Sequence, residues 1–336
     1  MLLQFNTIPN NPILLLSGNM IFADKTNISI PARILCEEWG KPTRLYLEEI
    51  EVIPQTLEIE YYSIINNKVY NCMLSEMQVS EYVNKSEYYL IGLSPWGGVA
   101  CWLYSFKKSI CILKKQGDEV PNNKIMISNS LPLFNGTFSQ YRQRYLKQNH
   151  NIEDKIVRYG IPPLNLFDNY MKQFTYRYQI LLEKWKGENE EVKWDKYKDD
   201  EDKVPEFDYI EESLFDGTHD KLHDDGLLKY HEAAKPKKLA LQLHINKSVY
   251  TAYFWFDDDT IKPVFERFYG AHPETKADFI IRIDVENKKY ELALYRQGLK
   301  EPVVIPESAY QLIVFKNKFE DYRSENYNQP RGAWIW

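Results

Sequence analysis

The chain has 336 residues, 27% charged and 44% hydrophobic, with a formal net charge of −6; at roughly 150 residues per domain that is room for two cores. The composition is that of a soluble globular protein, and the acidity is local, in a segment from Glu188 to Glu232 that would repel nucleic acid. Four cysteines, Cys36, Cys72, Cys101 and Cys111, show no C-x-x-C spacing, and buried free thiols are the simplest reading.

At the amino end the apolar run Ile13–Leu16 is short, is preceded by Pro12, and has no Lys or Arg before it. It is expected to be neither a signal peptide nor a membrane span, and no Cys follows Leu16-Ser17-Gly18 to accept a lipid. A cytoplasmic location is the expectation. The first unit reads from about Ile28 to Leu113. Leu57–Ile65 is rich in β-branched and aromatic residues, Asn66-Asn67 suits a tight turn, and Val69–Leu74 returns as its partner. Ser75-Glu76-Met77-Gln78 has a capping-box pattern for a short helix with Met77, Val79, Tyr82 and Val83 inward. Tyr88–Leu93, a turn at Pro95–Gly98, Val99–Tyr104 and Ile110–Leu113 complete a meander.

A helical connector follows. Thr137-Phe138-Ser139-Gln140 is a second capping-box pattern, and after Pro162-Pro163 the spacing of Phe167, Tyr170, Met171, Phe174, Tyr178, Leu181, Leu182 and Trp185 predicts a long helix stopped at Gly187. Next comes an acidic segment. From Glu188 to Glu232 there are 17 Asp and Glu against 6 Lys and Arg, a local balance of −11 that leaves the remainder at +5. It reads either as a solvated linker or as an attractor for a basic protein surface.

The second unit opens with Leu239–Ile245 and Val249–Phe256 as a hairpin about Asn246-Lys247, an echo of Asn67-Lys68 in the first. Asp257-Asp258-Asp259 places carboxylates at the start of the next helix, whose first turn holds Pro263 if Asp259 is the cap, with Ile261, Val264, Phe265 and Phe268 inward and Gly270 as its end. Phe279–Ile283, Tyr290–Tyr295 and Tyr310–Phe315 read as three more strands. Trp334-Ile335-Trp336 is apolar enough to dock. The expected fold is α+β: two similar, mainly antiparallel β-sheet units, each β-β-α-β-β-β, joined by a helical connector and an acidic segment. The expected boundaries are 1–130, 131–187, 188–236 and 237–336.

Few residues suggest chemistry. His219 and His223, with His231 nearby, could place imidazoles on one helical face beside Asp220, Asp224 and Asp225. Gly217 and Gly226 interrupt that segment, so no metal and no cofactor are expected. Gly92-Leu93-Ser94-Pro95-Trp96-Gly97 is not a nucleophile elbow, because Trp96 stands where G-x-S-x-G needs Gly.

Ile30-Pro31-Ala32-Arg33 through Cys36-Glu37-Glu38-Trp39-Gly40, Leu57–Ser63, and Ile91-Gly92-Leu93-Ser94-Pro95-Trp96-Gly97-Gly98-Val99-Ala100 resemble the bacterial domain-of-unknown-function family 2931, over Ile28 to about Leu113. Many relatives resemble lipoproteins; this chain lacks their lipid-accepting Cys. The resemblance implies a bacterial origin, association with interbacterial toxin loci including type VI secretion, and a role as an immunity partner, and it supplies no catalytic residues. Together with the aromatic content, 15% with 25 Tyr, this leads to the expectation of a non-enzymatic immunity protein that occludes a cognate toxin with a basic surface, without membrane insertion. Its expected contacts are Trp194, Asp195, Tyr197, Asp199, Asp200, Glu201, Asp202, Phe207, Asp208, Tyr209, Glu211 and Glu212, with aromatic anchors for affinity and carboxylates for steering. The rival readings are a metal-dependent hydrolase at His219 and His223, and a self-associating scaffold.

Overall fold

A computed structural model describes residues 2–35, 39–42, 48–50, 52–75, 86–105, 107–121, 136–182, 207–223, 229–245, 248–270, 272–284, 289–296, 299 and 301–317. Strand dominates, with four α-helices among the described residues, as an α+β or mainly-β reading requires. The chain divides into two units, one comprising Met1–Tyr170 with Asp216–Thr218 and the other Met171–Phe215 with His219–Ile335.

In the first unit, β1 (Leu2–Thr7), β2 (Ile13–Ile21), β3 (Asn27–Ile30), β4 (Arg33–Leu35), β5 (Glu48–Glu49), β6 (Thr56–Ser63), β7 (Lys68–Ser75), β8 (Tyr88–Leu93), β9 (Gly98–Tyr104), β10 (Ser109–Gln116) and β11 (Asp118–Val120) make two layers. One runs β11-β7-β6-β2-β3, with β4 beside β2; the other runs β5-β1-β8-β9-β10, in which β1 and β8 are parallel. Leu3, Phe5, Ile91 and Leu103 of one layer share a core with Leu15, Leu57, Ile59 and Tyr61 of the other. The run Ile13–Leu16 is buried throughout. A strand covered on both faces has no polar alternation, which explains why β2 did not read as a strand in the sequence.

The second cover comes from helices α1 (Phe138–Gln148) and α2 (His150–Tyr159). Phe138 and Tyr141 pack on Leu14, Leu16, Tyr62, Ile64 and Val69, and Leu146 and Ile152 on Ile65. Arg142 Nε donates to the Ile64 carbonyl at 2.8 Å, tying α1 to the end of β6. The capping box is present as expected: Thr137 Oγ1 accepts from Gln140 N at 3.3 Å, and Gln140 Oε1 accepts from Thr137 N at 2.9 Å. Thr137→Ala is therefore expected to cost about 1 kcal/mol of stability, measurable as a shifted urea midpoint at unchanged slope.

The long helix expected from Phe167 to Trp185 does not form. A short α3 (Leu166–Met171) is followed by strand β12 (Phe174–Leu182). Phe174, Tyr176, Tyr178 and Ile180 are buried while Thr175, Arg177 and Gln179 are half-exposed. That is a period of two, and the aromatic content favours strand; the three- and four-residue spacing arose from sampling alternate members of the strand. The expected helix over Met77–Val83 lies outside the described residues, as do Cys36 and Trp334–Trp336.

The acidic segment is also corrected. Its described part is not a linker but strands β13 (Phe207–Leu214), β14 (His219–Leu222) and β15 (His231–Ala233), followed by β16 (Pro236–Ile245) and β17 (Ser248–Phe256). Helix α4 (Asp258–Tyr269) follows, then β18 (Lys276–Asp284), β19 (Lys289–Tyr295), β20 (Val303–Ile305) and β21 (Tyr310–Asn317). One layer runs β14-β13-β16-β17-β21, all antiparallel, and the other β15-β12-β18-β19-β20, with β12 and β18 parallel. Between them Phe256 meets Phe279 edge-on at 6.2 Å. The cap of α4 is Asp257, whose carboxylate accepts from Asp259 N at 3.1 Å. The helix thus starts earlier than the sequence suggested, and Pro263 falls in its second turn, where its missing N–H removes one helix bond. Ile261, Val264, Phe265 and Phe268 point inward as expected.

Candidate functional site

Strand alternation sorts the expected contact residues. On β13, Ile210, Glu212 and Leu214 are buried, whereas Tyr209 and Ser213 are half-exposed and Glu211 is exposed. On β17, Ala252, Phe254 and Phe256 are buried while Tyr253 and Trp255 are half-exposed. Register brings Glu211 opposite Ala240, Ser213 opposite Lys238, Lys238 opposite Trp255 and Ala240 opposite Tyr253, so these residues share one face. Tyr253 and Trp255 stack, with centroids 5.6 Å apart and planes at 26°. Lys238 Nζ lies 5.0 Å from the Tyr253 ring and 6.0 Å from the Trp255 ring. Lys221 Nζ sits 3.5 Å from the Tyr209 ring centroid. Cations over ring faces hold aromatics in place, and aromatics already fixed lose little freedom on binding.

Of the expected contacts, Tyr209 and Glu211 belong to this face and Phe207 and Asp208 lie on the same strand; Trp194, Asp195, Tyr197, Asp199, Asp200, Glu201 and Asp202 lie outside the described residues. Glu212 is a correction. At 3% exposure it cannot meet a partner, because β-strand side chains alternate and Glu212 takes the inward position. The sequence reading missed Tyr253, Trp255 and Lys238, although the alternation Ala252, Phe254, Phe256 would have placed the two rings outward.

Behind β13 is a buried polar cluster. Tyr178 Oη donates to Glu212 Oε2 at 2.6 Å, and His231 Nε2 lies 3.6 Å from Glu212 Oε1. Burial first, and then the Glu212 carboxylate, push the Tyr178 hydroxyl far above its usual range, so it stays a donor. Nearby, Lys235 Nζ lies 3.4 Å from Asp258 Oδ1, with the two side chains 2% and 10% exposed. Burial disfavours both charges, lowering the Lys235 pKa and raising that of Asp258, and their mutual attraction offsets only part of this.

His219 and His223 do not share a helical face: His219 opens β14 and His223 follows its end. Among the described residues no group of three His, Cys, Asp or Glu side chains is arranged to hold a metal. Nor does any helix among them have the length and apolarity to cross a membrane. Cys72, Cys101 and Cys111 are free thiols.

The resemblance residues serve packing. Trp39 and Trp102 meet edge-on at 4.9 Å, and Trp102 Nε1 donates to the Asp216 carbonyl at 3.0 Å. Gly40 (φ +68°) and Gly217 (φ +86°) approach so closely that a Cβ on Gly40 would lie 2.3 Å from Gly217 Cα. Ser94 Oγ accepts from Trp96 N and Gly98 N at 3.3 and 3.2 Å and is fully buried, which makes Pro95–Gly98 a structural turn. Compared with known proteins, the chain matches no family model, no curated protein and no solved structure.

Proposed function

We propose that this chain is a non-enzymatic protein-binding protein, an immunity protein that binds and neutralises a cognate antibacterial toxin of a type VI secretion locus, and that the outward face of β13, β16 and β17 is where it binds. The observation that carries the binding reading is the set of fixed, half-exposed rings of Tyr209, Tyr253 and Trp255 on that face. Trp and Tyr dominate binding hot spots.

The strand pairing adds support. In the first unit β1 is parallel to β8 and β2 pairs with β3 and β6; in the second β12 is parallel to β18 and β13 pairs with β14 and β16. Likewise β11 lies beside β7 as β21 lies beside β17. We read the chain as one scheme used twice. On that correspondence the layer face that α1 seals in the first unit, through Phe138 and Tyr141, is the face that presents Tyr253 and Trp255 in the second.

The immunity role rests on the resemblance at Trp39-Gly40 and Gly97-Gly98. The concentration of negative charge between Glu188 and Glu232 would attract a basic toxin and raise its association rate. The test is co-expression of the tagged protein with the product of the adjacent gene. Stoichiometric co-purification with growth rescue is expected, and both are expected to be lost in the Tyr253→Ser/Trp255→Ser variant; no co-purification with the wild-type chain contradicts the reading.

A further inference from the structure

We propose that His231 is a proton-set latch that pins the edge strand β15 to β12 and β13, closed when the imidazole is protonated and loosened when it is neutral. The inference concerns the second unit alone and does not depend on what the chain binds.

β15 is three residues long and pairs with β12 through Phe174↔Ala233, Thr175↔Glu232 and Tyr176↔His231. So short a ladder provides few backbone hydrogen bonds, and the side chains turned inward decide whether the strand holds. Two side chains of β15 turn inward, Ala233 and His231; His231, the titratable one, is 26% exposed, with ring centroids of Tyr176 and Tyr178 at 5.1 and 6.1 Å.

Both of its ring nitrogens face oxygen. Nδ1 is 3.4 Å from the Lys229 carbonyl and Nε2 is 3.6 Å from Glu212 Oε1. A carbonyl can only accept, and an ionised carboxylate can only accept. Either neutral tautomer therefore sets one nitrogen lone pair against an oxygen, whereas imidazolium presents a proton to each. The other Glu212 oxygen is already taken by Tyr178 Oη at 2.6 Å, which fixes the carboxylate and leaves Oε1 to His231.

The groups around the ring are Glu212 on β13, Tyr176 and Tyr178 on β12, Asp220 on β14, and Glu232 and the Lys229 carbonyl on its own segment. Burial opposes the imidazolium, but Glu212, the Lys229 carbonyl and Asp220 outweigh it, and the pKa of His231 is raised above 6.5. A raised folded-state pKa means the latch contributes stability that is fully present below the unfolded value and is lost as pH rises through the folded one.

The test uses the wild-type chain and NMR. The His231 Cε1–H resonance, identified by its absence in His231→Gln, is expected to titrate with a midpoint above about 6.5. Protection of the β15 amides, corrected for intrinsic exchange, is expected to fall severalfold from pH 6 to pH 8, with β18 and β19 unchanged. In Glu212→Gln the midpoint is expected to drop and the pH dependence of β15 to vanish. A wild-type midpoint at or below about 6.5, pH-independent protection of β15, or an unaltered profile in Glu212→Gln overturns the proposal. If Glu212→Gln does not fold, the two wild-type measurements decide.

Discussion

Gly40→Ala is expected to destabilise the first unit by about 3 kcal/mol or more, from two separate costs. The backbone at Gly40 has φ +68°, a conformation that costs a residue with a Cβ about 1–2 kcal/mol. The second cost is steric. The new methyl would sit 2.3 Å from Gly217 Cα and 2.4 Å from its carbonyl oxygen. Those are backbone atoms, and they are held in place by the Ser109 hydroxyl, which donates to the Gly217 carbonyl at 3.1 Å, and by Trp102 Nε1 on the Asp216 carbonyl at 3.0 Å. The Asp216 carboxylate adds a further constraint by accepting from Thr218 N and Oγ1 at 3.0 and 2.6 Å. Relief would have to move the whole Asp216–Thr218 segment. Gly160 provides the control: its φ is +82° and its ψ −167°, a conformation almost confined to glycine, but nothing lies within 4 Å of a Cβ there, so Gly160→Ala should show the conformational cost alone, about 1–3 kcal/mol. Urea unfolding of the two variants separates the effects. Equal losses would mean that the Gly40–Gly217 approach is not a constraint.

Asp258→Ala is expected to cost about 3–5 kcal/mol, because it removes the carboxylate that lies 3.4 Å from the buried ammonium of Lys235. Asp258 is the first residue of α4, directly after the capping Asp257, so part of any loss could come from the helix dipole, which is worth about 0.3–1 kcal/mol there. A double-mutant cycle isolates the pair. Lys235→Met is expected to be less harmful in the Asp258→Leu background than in the wild type, since an apolar pair of similar volume often matches a buried ion pair. Additive losses across the cycle would show that Lys235 and Asp258 do not stabilise one another.

Much of this architecture is legible because it is local. The hairpins β6–β7 and β16–β17, the turn at Pro95–Gly98 and the cap of α1 depend on neighbours within a few residues, and each appears where turn and capping residues place it. What failed to read depends on distant contacts. β1 and β12 pair in parallel with β8 and β18, strands far along the chain, and no short-range pattern announces such a ladder. β12 imitates a helix in the sequence because Phe167, Tyr170 and Met171 belong to α3 while Phe174 and Tyr178 belong to a strand, and the combined spacing matches a helical stripe. Glu212 read as one carboxylate in an acidic stretch; only the Tyr178 and His231 side chains, supplied by β12 and β15, reveal its buried role. The outward rings of Tyr253 and Trp255 lay within a correctly placed strand and needed only the alternation to be followed through.

The measurement that bears most directly on the proposed binding face is titration calorimetry of the adjacent gene's product against the wild-type chain and against Tyr253→Ser/Trp255→Ser. Both substituted residues are half-exposed, so the variant should fold as the wild type does, which its unfolding curve would verify. If the face is the binding site, removing its two stacked anchors weakens Kd by about thirtyfold or more, corresponding to about 2 kcal/mol. A Kd unchanged within about twofold in a variant of wild-type stability would contradict the assignment of this face.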